Sequence, residues 1–441
     1  MRIAVVGQGY VGLTGAVSMA LQGHQVTGVE RDPERLRTLE RGEAPVYEPG
    51  LPEQLAQVSG RVTFVPEVVA AHKRFPFDVV MITVGTPPGP TGAADLSQVQ
   101  AAVEEASGLL PAPYVVLKST VPPGTSDALV RAHPELRDRF AYNPEFLNQG
   151  SALTDWLAPA RVVVGVYAEE MRAVIQRLYP QLSCPMVVTT PPSAEMTKYA
   201  SNVFLATKIS FANEMARLCD RPGMDIDDVL RGVGFDPRIG HAFLQPGLGY
   251  GDSCLPKDTA ALARWAVDHG VPTPLLDATI KVNAEQPRIV AAMLRETLGE
   301  SFARSRIAVL GVRYEPWSDD LRAAPSLTVI PELMAAGASV RVWDPALSPD
   351  GLTDLFPGVI PCEDLPTAVH DANAVLVLTE WPDIIEADWA DLAGRLAAPR
   401  LVVDGKNCLL PDRITGLPLL YRSIGSRLPH GATHPSPAPQ P

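Results

Sequence analysis

The sequence predicts an α/β protein in which two doubly wound, Rossmann-like domains are joined by a central all-helical segment. Short apolar runs rich in β-branched residues alternate with helical patterns towards both ends of the chain. Such runs are typical of a parallel sheet whose two faces are both covered by helices. Between residues 192 and 300 no convincing strand pattern occurs, and long helical patterns fill that part of the sequence.

The amino-terminal domain is predicted from six of these apolar runs. The first run ends in glycine, and helical patterns at 11–22 and 96–109 separate several of the others. This alternation indicates consecutive strand–helix–strand units. The predicted strands are 2–7, 25–30, 61–65, 77–85, 113–120 and 161–166.

The central segment begins with a long helical pattern at 192–220 and continues with helices at 258–269 and 275–299. Four more apolar runs, at 305–312, 338–345, 373–380 and 400–407, then predict a second α/β domain, which could be related in fold to the first. The proline-rich end has no apolar residues to bury, so it is predicted to be disordered. The predicted domains are 1–191, 192–300, 301–428 and the tail 429–441.

Composition indicates an ordinary globular protein with a small-molecule partner. The chain has 441 residues, too many for one compact core, with 46% hydrophobic and 20% charged residues. Its formal net charge of −13 argues against nucleic acid, although a local pocket can still be basic. No apolar run approaches the roughly 20 residues of a membrane span. No export signal is recognisable, so a cytoplasmic location is expected.

A glycine motif follows the first predicted strand. The segment GQGYVG at 7–12 fits G-x-G-x-x-G and opens a helical pattern. In that context Gly7 permits the tight turn, Gly9 lets a pyrophosphate approach the backbone, and Gly12 allows close helix–strand packing. Glu30 ends the second strand, where a carboxylate binds the ribose hydroxyls and repels a 2′-phosphate. The motif therefore predicts NAD rather than NADP, with a flavin or a purely structural turn as more distant alternatives.

The cysteines raise a separate question. There are five, with no C-x-x-C pair, which argues against a disulfide framework and a structural zinc site, so no metal is expected. Cys254 directly precedes a helical pattern in GYGDSCLPKDTAAL, residues 249–262. A helix N-terminus lowers a thiol pKa and favours the nucleophilic thiolate. Taken alone, a cysteine in this position is more often a packed thiol than a nucleophile.

Other polar residues occur in places suited to chemistry. Lys198 and Asn202 are four residues apart and share one face of the long helix, where such a pair is usually only solvated. Glu145 follows a proline in YNPEFLNQG, and Thr120 ends a strand in KSTVPPGT. The carboxyl ends of strands are where ligands bind in open α/β sheets.

Together these segments resemble the UDP-glucose/GDP-mannose dehydrogenase family of nucleotide-sugar dehydrogenases. The resemblance covers residues 3 to about 410, and its long-helix and cysteine-loop segments are highly specific. The segments that carry it are GQGYVGL, APVYEPGL, ITVGTPP, KSTVPPGT, NPEFL, AEMTKYASNVFLATKISFANEMARLCD, DPRIGHAFLQPGLGYGDSCLPKD, LTEWPD and DGKN.

The resemblance implies an NAD-dependent enzyme that oxidises the 6-hydroxymethyl group of a nucleotide sugar to a carboxylate in two steps. Cys254 matches the family nucleophile, which holds the sugar as a thiohemiacetal and then as a thioester. Lys198 and Asn202 match residues that bind the developing oxyanion. The two α/β domains are then the NAD-binding and UDP-sugar-binding domains, and the helical segment is the dimerisation segment.

The resemblance also implies roles for further residues. Glu145 matches the proposed general base for thioester hydrolysis, and Asp258 matches a carboxylate that holds the active-site water together with Thr120. Arg238 matches an arginine that reaches the substrate of a neighbouring subunit, so a homodimer or a higher homo-oligomer is expected. The implied cofactor-binding residues are Gly7, Gly9, Tyr10, Val11, Gly12, Glu30, Arg35, Thr86, Thr120, Lys257 and Arg322. The implied substrate-binding residues are Glu145, Phe146, Leu147, Lys198, Asn202, Arg238, Phe243, Leu244, Gly251 and Lys406.

Four positions depart from the family pattern. Gln149 replaces a glutamate, and Lys406 replaces an arginine whose planar fork it lacks. Asp252 replaces a glycine and brings negative charge close to the thiol of Cys254, which would raise its pKa. Glu315 stands where the family has a lysine that reaches the substrate, and a carboxylate facing a diphosphate repels it.

Several functions remain open at this point. The segments FDPRIGHAFLQPG and KISFANE favour UDP-glucose, and thus UDP-glucuronate as product, over GDP-mannose. A UDP-N-acetylhexosamine substrate is disfavoured because the cysteine loop of those enzymes differs from SCLPKD. From another class, Glu315 and Asp252 would support a nucleotide-sugar-binding protein that has lost turnover. A two-electron dehydrogenase is the third alternative.

Overall fold

The structure is a computed structural model that describes residues 1–181, 183–220, 224–251, 254–316, 321 and 323–425. The chain forms two compact units. The N-terminal unit comprises Met1–Asn202 and Lys257–Pro272, and the C-terminal unit comprises Val203–Pro256 and the described residues from Thr273 onward. The predicted tail lies outside the described residues, and the predicted domain boundaries stay predictions.

The N-terminal unit contains an eight-stranded sheet with strand order 3-2-1-4-5-6-7-8. All neighbouring strands are parallel except the sixth and seventh, which pair antiparallel. The six predicted strands are present, and the structure adds the sixth and the eighth. The strands are β1 (Arg2–Val6), β2 (Gln25–Val29), β3 (Val62–Val65), β4 (Val79–Ile82), β5 (Tyr114–Leu117), β6 (Phe140–Tyr142), β7 (Val162–Val166) and β8 (Met186–Thr189).

Helices cover both faces of this sheet, which explains why its strands are apolar throughout. In β1, Ile3 and Val5 pack in one hydrophobic cluster while Ala4 and Val6 pack in another. Alternate residues of a strand point to opposite faces, so each face has its own core. The helices are α1 (Tyr10–Leu21), α2 (Pro33–Glu40), α3 (Leu51–Gln57), α4 (Val68–Arg74), α5 (Ser97–Ser107), α6 (Thr125–Ala132), α7 (Ala152–Leu157) and α8 (Glu169–Leu178), with a 3-10 helix at Pro134–Arg139.

The middle of the chain is helical, as the sequence predicts. No strand occurs among its described residues from 192 to 300. The first of these helices has 29 residues, and its residues up to Asn202 belong to the N-terminal unit. The helices are α9 (Pro191–Cys219), α10 (Ile226–Gly234), α11 (Leu255–Asp268), α12 (Pro274–Glu285) and α13 (Arg288–Leu298), followed by a 3-10 helix at Gly299–Arg304.

The C-terminal unit contains a six-stranded parallel sheet. Its strand order is 11-10-9-12-13-14, which repeats the 3-2-1-4-5-6 order that opens the first sheet. The fold class predicted from the sequence is therefore confirmed. The strands are β9 (Arg306–Leu310), β10 (Ser339–Trp343), β11 (Ile360–Pro361), β12 (Ala374–Val377), β13 (Leu401–Asp404) and β14 (Leu420–Ser423). The helices are α14 (Ser326–Ala335), α15 (Pro349–Leu355), α16 (Leu365–Val369), α17 (Pro382–Ile385), α18 (Trp389–Arg395) and α19 (Pro411–Ile414).

Among the described helices, none combines the length and the hydropathy that a membrane span requires. The cytoplasmic location expected from the sequence stays a prediction.

Candidate active site

The glycine motif forms an open turn between β1 and α1. Gly7 has φ +92°, a left-handed conformation that favours glycine, and its amide closes the turn on Val29 O at 2.9 Å. A Cβ on Gly12 would lie 1.8 Å from Gly7 O, so glycine is required for the helix to start there. A Cβ on Gly9 would meet nothing within 4 Å, which leaves open space in front of the helix N-terminus. This turn fits a diphosphate held by backbone N–H groups.

The carboxylate of Glu30 lies beside this turn at the end of β2. Its oxygens accept hydrogen bonds from Gln8 N at 3.1 Å and from Asp32 N at 2.9 Å. The Arg35 guanidinium lies 3.7 Å from Glu30 Oε2. A buried carboxylate fixed by two amides at this place fits the ribose of NAD.

Tyr10 and Val11 start helix α1. Val11 packs against the hydrophobic core, and the Tyr10 hydroxyl donates a short hydrogen bond to Glu48. Glu48 also accepts from Gly150 N and Ala152 N, each at 2.8 Å. This buried carboxylate therefore ties the glycine turn to the segment that follows NPEFL.

Two threonines meet at the carboxyl edge of the sheet. Thr86 follows β4 and Thr120 follows β5, and Thr86 Oγ1 donates to Thr120 O at 3.0 Å. Both side chains are largely buried. Their position next to the glycine turn is the edge at which open α/β sheets bind ligands.

Helix α9 brings the other predicted catalytic groups of the N-terminal unit together in two clusters. In the first, Lys198 Nζ lies 3.0 Å from Glu145 Oε1. In the second, Asn202 Nδ2 donates to Asp258 Oδ2 at 2.6 Å, and Lys257 Nζ lies 2.5 Å from Asp258 Oδ1. Because Lys198 and Asn202 are one turn apart on α9, the two clusters are neighbours.

The charge of Glu145 is set by competing effects. Burial alone would raise the pKa of this carboxyl, but the nearby Lys198 ammonium lowers it, as does the hydrogen bond from Leu147 N at 2.7 Å. The net result is a pKa below the usual value, so Glu145 is ionised at neutral pH. The Phe146 ring that follows lies close to two cations, with Arg161 Cζ at 3.8 Å and Lys198 Nζ at 5.3 Å from its centroid.

Cys254 belongs to the C-terminal unit and directly precedes α11. Its side chain is partly accessible, and it forms no disulfide. Burial raises the pKa of Cys219, Cys362 and Cys408, which makes these three thiols poor nucleophiles. By its place before a helix, Cys254 is better suited to nucleophilic chemistry than those three.

Glycine is also required close to this cysteine. A Cβ on Gly251 would lie 2.4 Å from the Tyr314 ring and 2.9 Å from Ala323 O. The preceding Tyr250 is bound through its backbone to the side chain of Asn283. Tyr250 N donates to Asn283 Oδ1 at 2.7 Å, and Asn283 Nδ2 donates to Tyr250 O at 2.9 Å. Residues 250 and 251 are therefore held tightly within their own unit.

The remaining predicted substrate residues lie in the C-terminal unit. Leu244 is buried and Phe243 is partly exposed with φ +62°. The Arg238 side chain is 87% exposed and forms a forked ion pair with Asp236. Lys406 is different, because it is 15% exposed and its ammonium is already engaged. Its Nζ lies 2.9 Å from Glu380 Oε2 and donates to Tyr314 O at 3.2 Å.

Of the four positions that depart from the family pattern, three lie among the described residues. Gln149 is exposed, and Glu315 is partly exposed and acts electrostatically on Lys406. Burial would lower the pKa of Lys406, but Glu380, and more weakly Glu315, raise it. Asp252 and the predicted NAD contact Arg322 lie outside the described residues.

Sequence reasoning missed several residues that hold these groups in place. Glu48 and Lys118 lie inside the quoted segments APVYEPGL and KSTVPPGT but had no role assigned. Glu195, one turn before Lys198 on α9, accepts from Gly124 N at 2.6 Å and Ser126 N at 2.7 Å, and so fixes the segment after Thr120. The sequence does contain a signal for these residues, because each is a charged residue within an otherwise apolar or turn-forming segment.

The fold and the N-terminal site are those of an NAD-dependent dehydrogenase. Three domain profiles of the UDP-glucose/GDP-mannose dehydrogenase family match successive parts of the chain: the NAD binding domain over residues 1–183, the central domain over 192–285 and the UDP binding domain over 308–411. The chain therefore belongs to this family, as the sequence analysis predicts, and the NAD cofactor is confirmed.

Full-length relatives agree with this assignment. A UDP-glucose 6-dehydrogenase of Pseudomonas aeruginosa is 41% identical, covering 96% of this chain and 97% of its own. The UDP-glucose 6-dehydrogenase TuaD of Bacillus subtilis is 38% identical, covering 99% and 95%. The structure of a UDP-glucose dehydrogenase from the archaeon Pyrobaculum islandicum is 36% identical, with a TM-score of 0.87 and coverage of 97% and 98%.

Proposed function

We propose that this protein oxidises UDP-glucose to UDP-glucuronate with two molecules of NAD⁺, and that Cys254 carries the sugar between the two oxidations. The observation that carries the proposal is the pair of clusters on α9, Lys198 with Glu145 and Asn202 with Asp258. They combine a cation, an amide donor and two carboxylates, the groups that oxidation of an alcohol and hydrolysis of a thioester require. The names of the full-length relatives support UDP-glucose as the sugar nucleotide.

The cofactor site is the turn around Gly9. Bound NAD⁺ accepts the hydride of each oxidation. The open space at Gly9 receives the diphosphate, and the carboxylate of Glu30 accepts hydrogen bonds from the adenosine ribose. Thr86 and Thr120 form the edge of the sheet next to this turn.

The first oxidation removes a proton and a hydride from the 6-hydroxymethyl group. As the hydroxyl loses its proton, the Lys198 ammonium and the Asn202 amide stabilise the negative oxygen. Asp258 holds Asn202 in place through its 2.6 Å hydrogen bond, and together with Thr120 it holds the water that receives the proton. The product of this step is the aldehyde.

The second oxidation needs the thiol. Cys254 Sγ adds to the aldehyde carbon, its proton leaves, and the resulting thiohemiacetal loses a second hydride to become a thioester. Glu145 takes a proton from water, the hydroxide displaces the thiolate, and the carboxylate product is released. Two NAD⁺ and one water are consumed, and two NADH and three protons are formed.

Further residues are proposed to contact the rest of the substrate. Phe146 and Leu147 bind it next to Glu145, and Phe243, Leu244 and Gly251 bind it near Cys254. Lys406 attracts the nucleotide by its positive charge. This attraction is weakened because Glu380, its ion-pair partner, compensates part of that charge. Arg238 is available to a second subunit, given its 87% exposed side chain.

We also propose a homodimer formed through the central helices. In the C-terminal unit, Phe204, Phe211 and Leu218 lie at seven-residue intervals on α9 and are 65%, 46% and 58% exposed. An apolar stripe of this period is typical of helix–helix pairing. Phe211→Glu is expected to convert dimer to monomer in sedimentation velocity, whereas Phe75→Glu, at an exposed position of the N-terminal unit, should leave the dimer intact. A wild-type monomer at micromolar concentration would contradict the proposal.

The decisive experiment measures NADH formed when UDP-glucose is limiting and NAD⁺ is in excess. Two NADH per sugar are expected. One NADH would favour a two-electron dehydrogenase, and turnover with GDP-mannose alone would favour the other branch of the family. No NADH with either substrate, together with measurable binding of UDP-glucose, would favour a protein that has lost turnover through Glu315 and Asp252.

A further inference from the structure

The N-terminal unit contains a small cavity of about 150 Å³, and Glu145 is one of the residues that line it. Its wall contains a buried lysine that the proposed reaction does not use, Lys118, which is 3% exposed. Lys118 directly follows β5 and lies two residues before Thr120. The other lining residues include Asn143, Trp156 and Tyr179.

Lys118 forms a closed polar network with two of these residues. Its Nζ donates to the Tyr179 hydroxyl at 3.0 Å and to Asn143 Oδ1 at 3.2 Å. The Tyr179 hydroxyl donates to the same Asn143 Oδ1 at 2.8 Å, and Asn143 Nδ2 donates to Val163 O at 2.9 Å. Because Asn143 is two residues before Glu145, the network anchors the start of the segment that carries this carboxylate.

The charge of Lys118 is unusual for its depth. Among the described residues no carboxylate lies within ion-pair distance of it, and its ammonium faces the Trp156 ring at 4.5 Å. Burial lowers the pKa of Lys118 to about 7, against an opposing effect of Glu145 and a reinforcing one of Lys198. Lys118 therefore changes charge near neutral pH, directly beside the Glu145–Lys198 pair.

Tyr179 and Arg161 keep one charge state near neutral pH. Burial raises the pKa of Tyr179, so its hydroxyl stays protonated. Burial lowers the pKa of Arg161, but a guanidinium keeps its charge at neutral pH. Asp155 also lines the cavity, where its carboxylate accepts from Asn148 N and Ser151 Oγ.

We propose that Lys118 is a positioning residue for thioester hydrolysis, which orients the Glu145 segment through Asn143 and Tyr179 and sets the strength of Glu145 as a base by its own charge. The proposal rests on the reaction proposed above. A charged Lys118 stabilises the Glu145 carboxylate and so weakens it as a base, whereas loss of the proton from Lys118 strengthens it. The Lys118 proton is released to solvent and returns from solvent, so the balance of the reaction is unchanged.

The test is Lys118→Met, which keeps the volume of the chain in the cavity and removes the charge and the donor. We expect both oxidations to survive, so that a burst of two NADH per site precedes a slow steady state. The steady-state rate should fall on the order of 10²-fold because the base is misplaced. The rise of the wild-type rate with pH around 7 should disappear in this variant.

Tyr179→Phe is the second variant, since it removes only the hydroxyl of the network. It should lower the steady-state rate by roughly twofold to tenfold, with the same change in the pH profile but smaller. Lys118→Met with equal losses in burst and steady state, or with an unchanged rate and pH profile, would overturn the proposal. If Lys118→Met does not fold, wild-type behaviour of Tyr179→Phe would overturn it too. Wild-type stoichiometry other than two NADH would instead reject the proposed function.

Discussion

The two sheets share a strand order and a local device, yet only one of them has the features of a dinucleotide site. At the end of β2, Glu30 accepts from Gln8 N at 3.1 Å, and at the equivalent end of β10, Asp344 accepts from Val312 N at 2.8 Å. Each carboxylate also accepts from the amide two residues further on, at 2.9 and 3.0 Å. In both sheets, then, an acidic residue closes the turn that follows the first strand.

The difference lies in what comes next in the chain. In the first sheet α1 starts at Tyr10, so its N-terminus lies at the glycine turn. In the second sheet the first described helix after the turn at Gly311 is α14, which starts at Ser326. Asp344 also accepts from the Trp381 indole at 3.3 Å. The phosphate site therefore depends on a helix N-terminus at the turn and not on the strand order, which both sheets share.

The largest effect is expected from a substitution in the C-terminal unit, at the proposed nucleophile Cys254. Cys254→Ser should lower UDP-glucuronate formation on the order of 10³-fold or more, because an ester forms and hydrolyses poorly where a thioester is needed. Binding of NAD should be unchanged, since the cofactor turn lies in the other unit. NADH and UDP-glucuronate are to be measured together.

Cys408→Ser is the matched control for this change. Burial raises the pKa of the Cys408 thiol, and this residue follows β13 without belonging to the proposed catalytic set, so the activity of the variant should remain close to wild type. Steady formation of two NADH per sugar by Cys254→Ser would contradict the thioester route.

The fold was predictable to the extent that apolar runs mark buried strands. The runs at β1, β2, β4 and β5 predict the centre of the first sheet because these strands are buried on both faces. Strands such as β11, with two residues, and β14, with partly exposed side chains, are too short or too mixed to show a pattern. In the site, Lys198 and Asn202 follow from helical spacing, which is local. The Lys118–Asn143–Tyr179 network joins residues up to 61 positions apart, and no local pattern reports such a contact.

Two lysines, one buried and one partly buried, occupy corresponding places in the two sheets. Lys118 follows β5 and Lys406 follows β13, the strands in fifth place along the order of each sheet. Burial lowers the pKa of Lys118 to about 7, whereas Glu380 outweighs burial and raises the pKa of Lys406. The first lysine therefore costs stability when charged, and the second contributes stability.

The expected effects of substitution have opposite signs. Lys118→Met should raise the free energy of unfolding by about 2–3 kcal/mol below pH 7. This gain should shrink as pH rises from 7 towards 10, because the wild-type unfolded chain binds the Lys118 proton more tightly than the folded one. Lys406→Met should lower the free energy of unfolding by about 1–3 kcal/mol, evenly from pH 7 to 9, by leaving Glu380 unpaired. Urea unfolding across this pH range measures both, and loss of stability in Lys118→Met would contradict the sign.

The smallest expected effect concerns the two acidic residues that close the turns. Glu30→Gln should weaken NAD binding about tenfold, because an amide accepts more weakly from the ribose hydroxyls, and it should narrow the preference for NAD over NADP. Asp344→Asn should leave NAD affinity unchanged and lower the free energy of unfolding by about 1–2 kcal/mol, since its amide nitrogen cannot accept from the buried backbone. Titration calorimetry with NAD and NADP distinguishes the two variants. Equal losses of NAD affinity would mean that both carboxylates act only through folding, and the difference between the two sheets would then lie entirely in the helix that follows the turn.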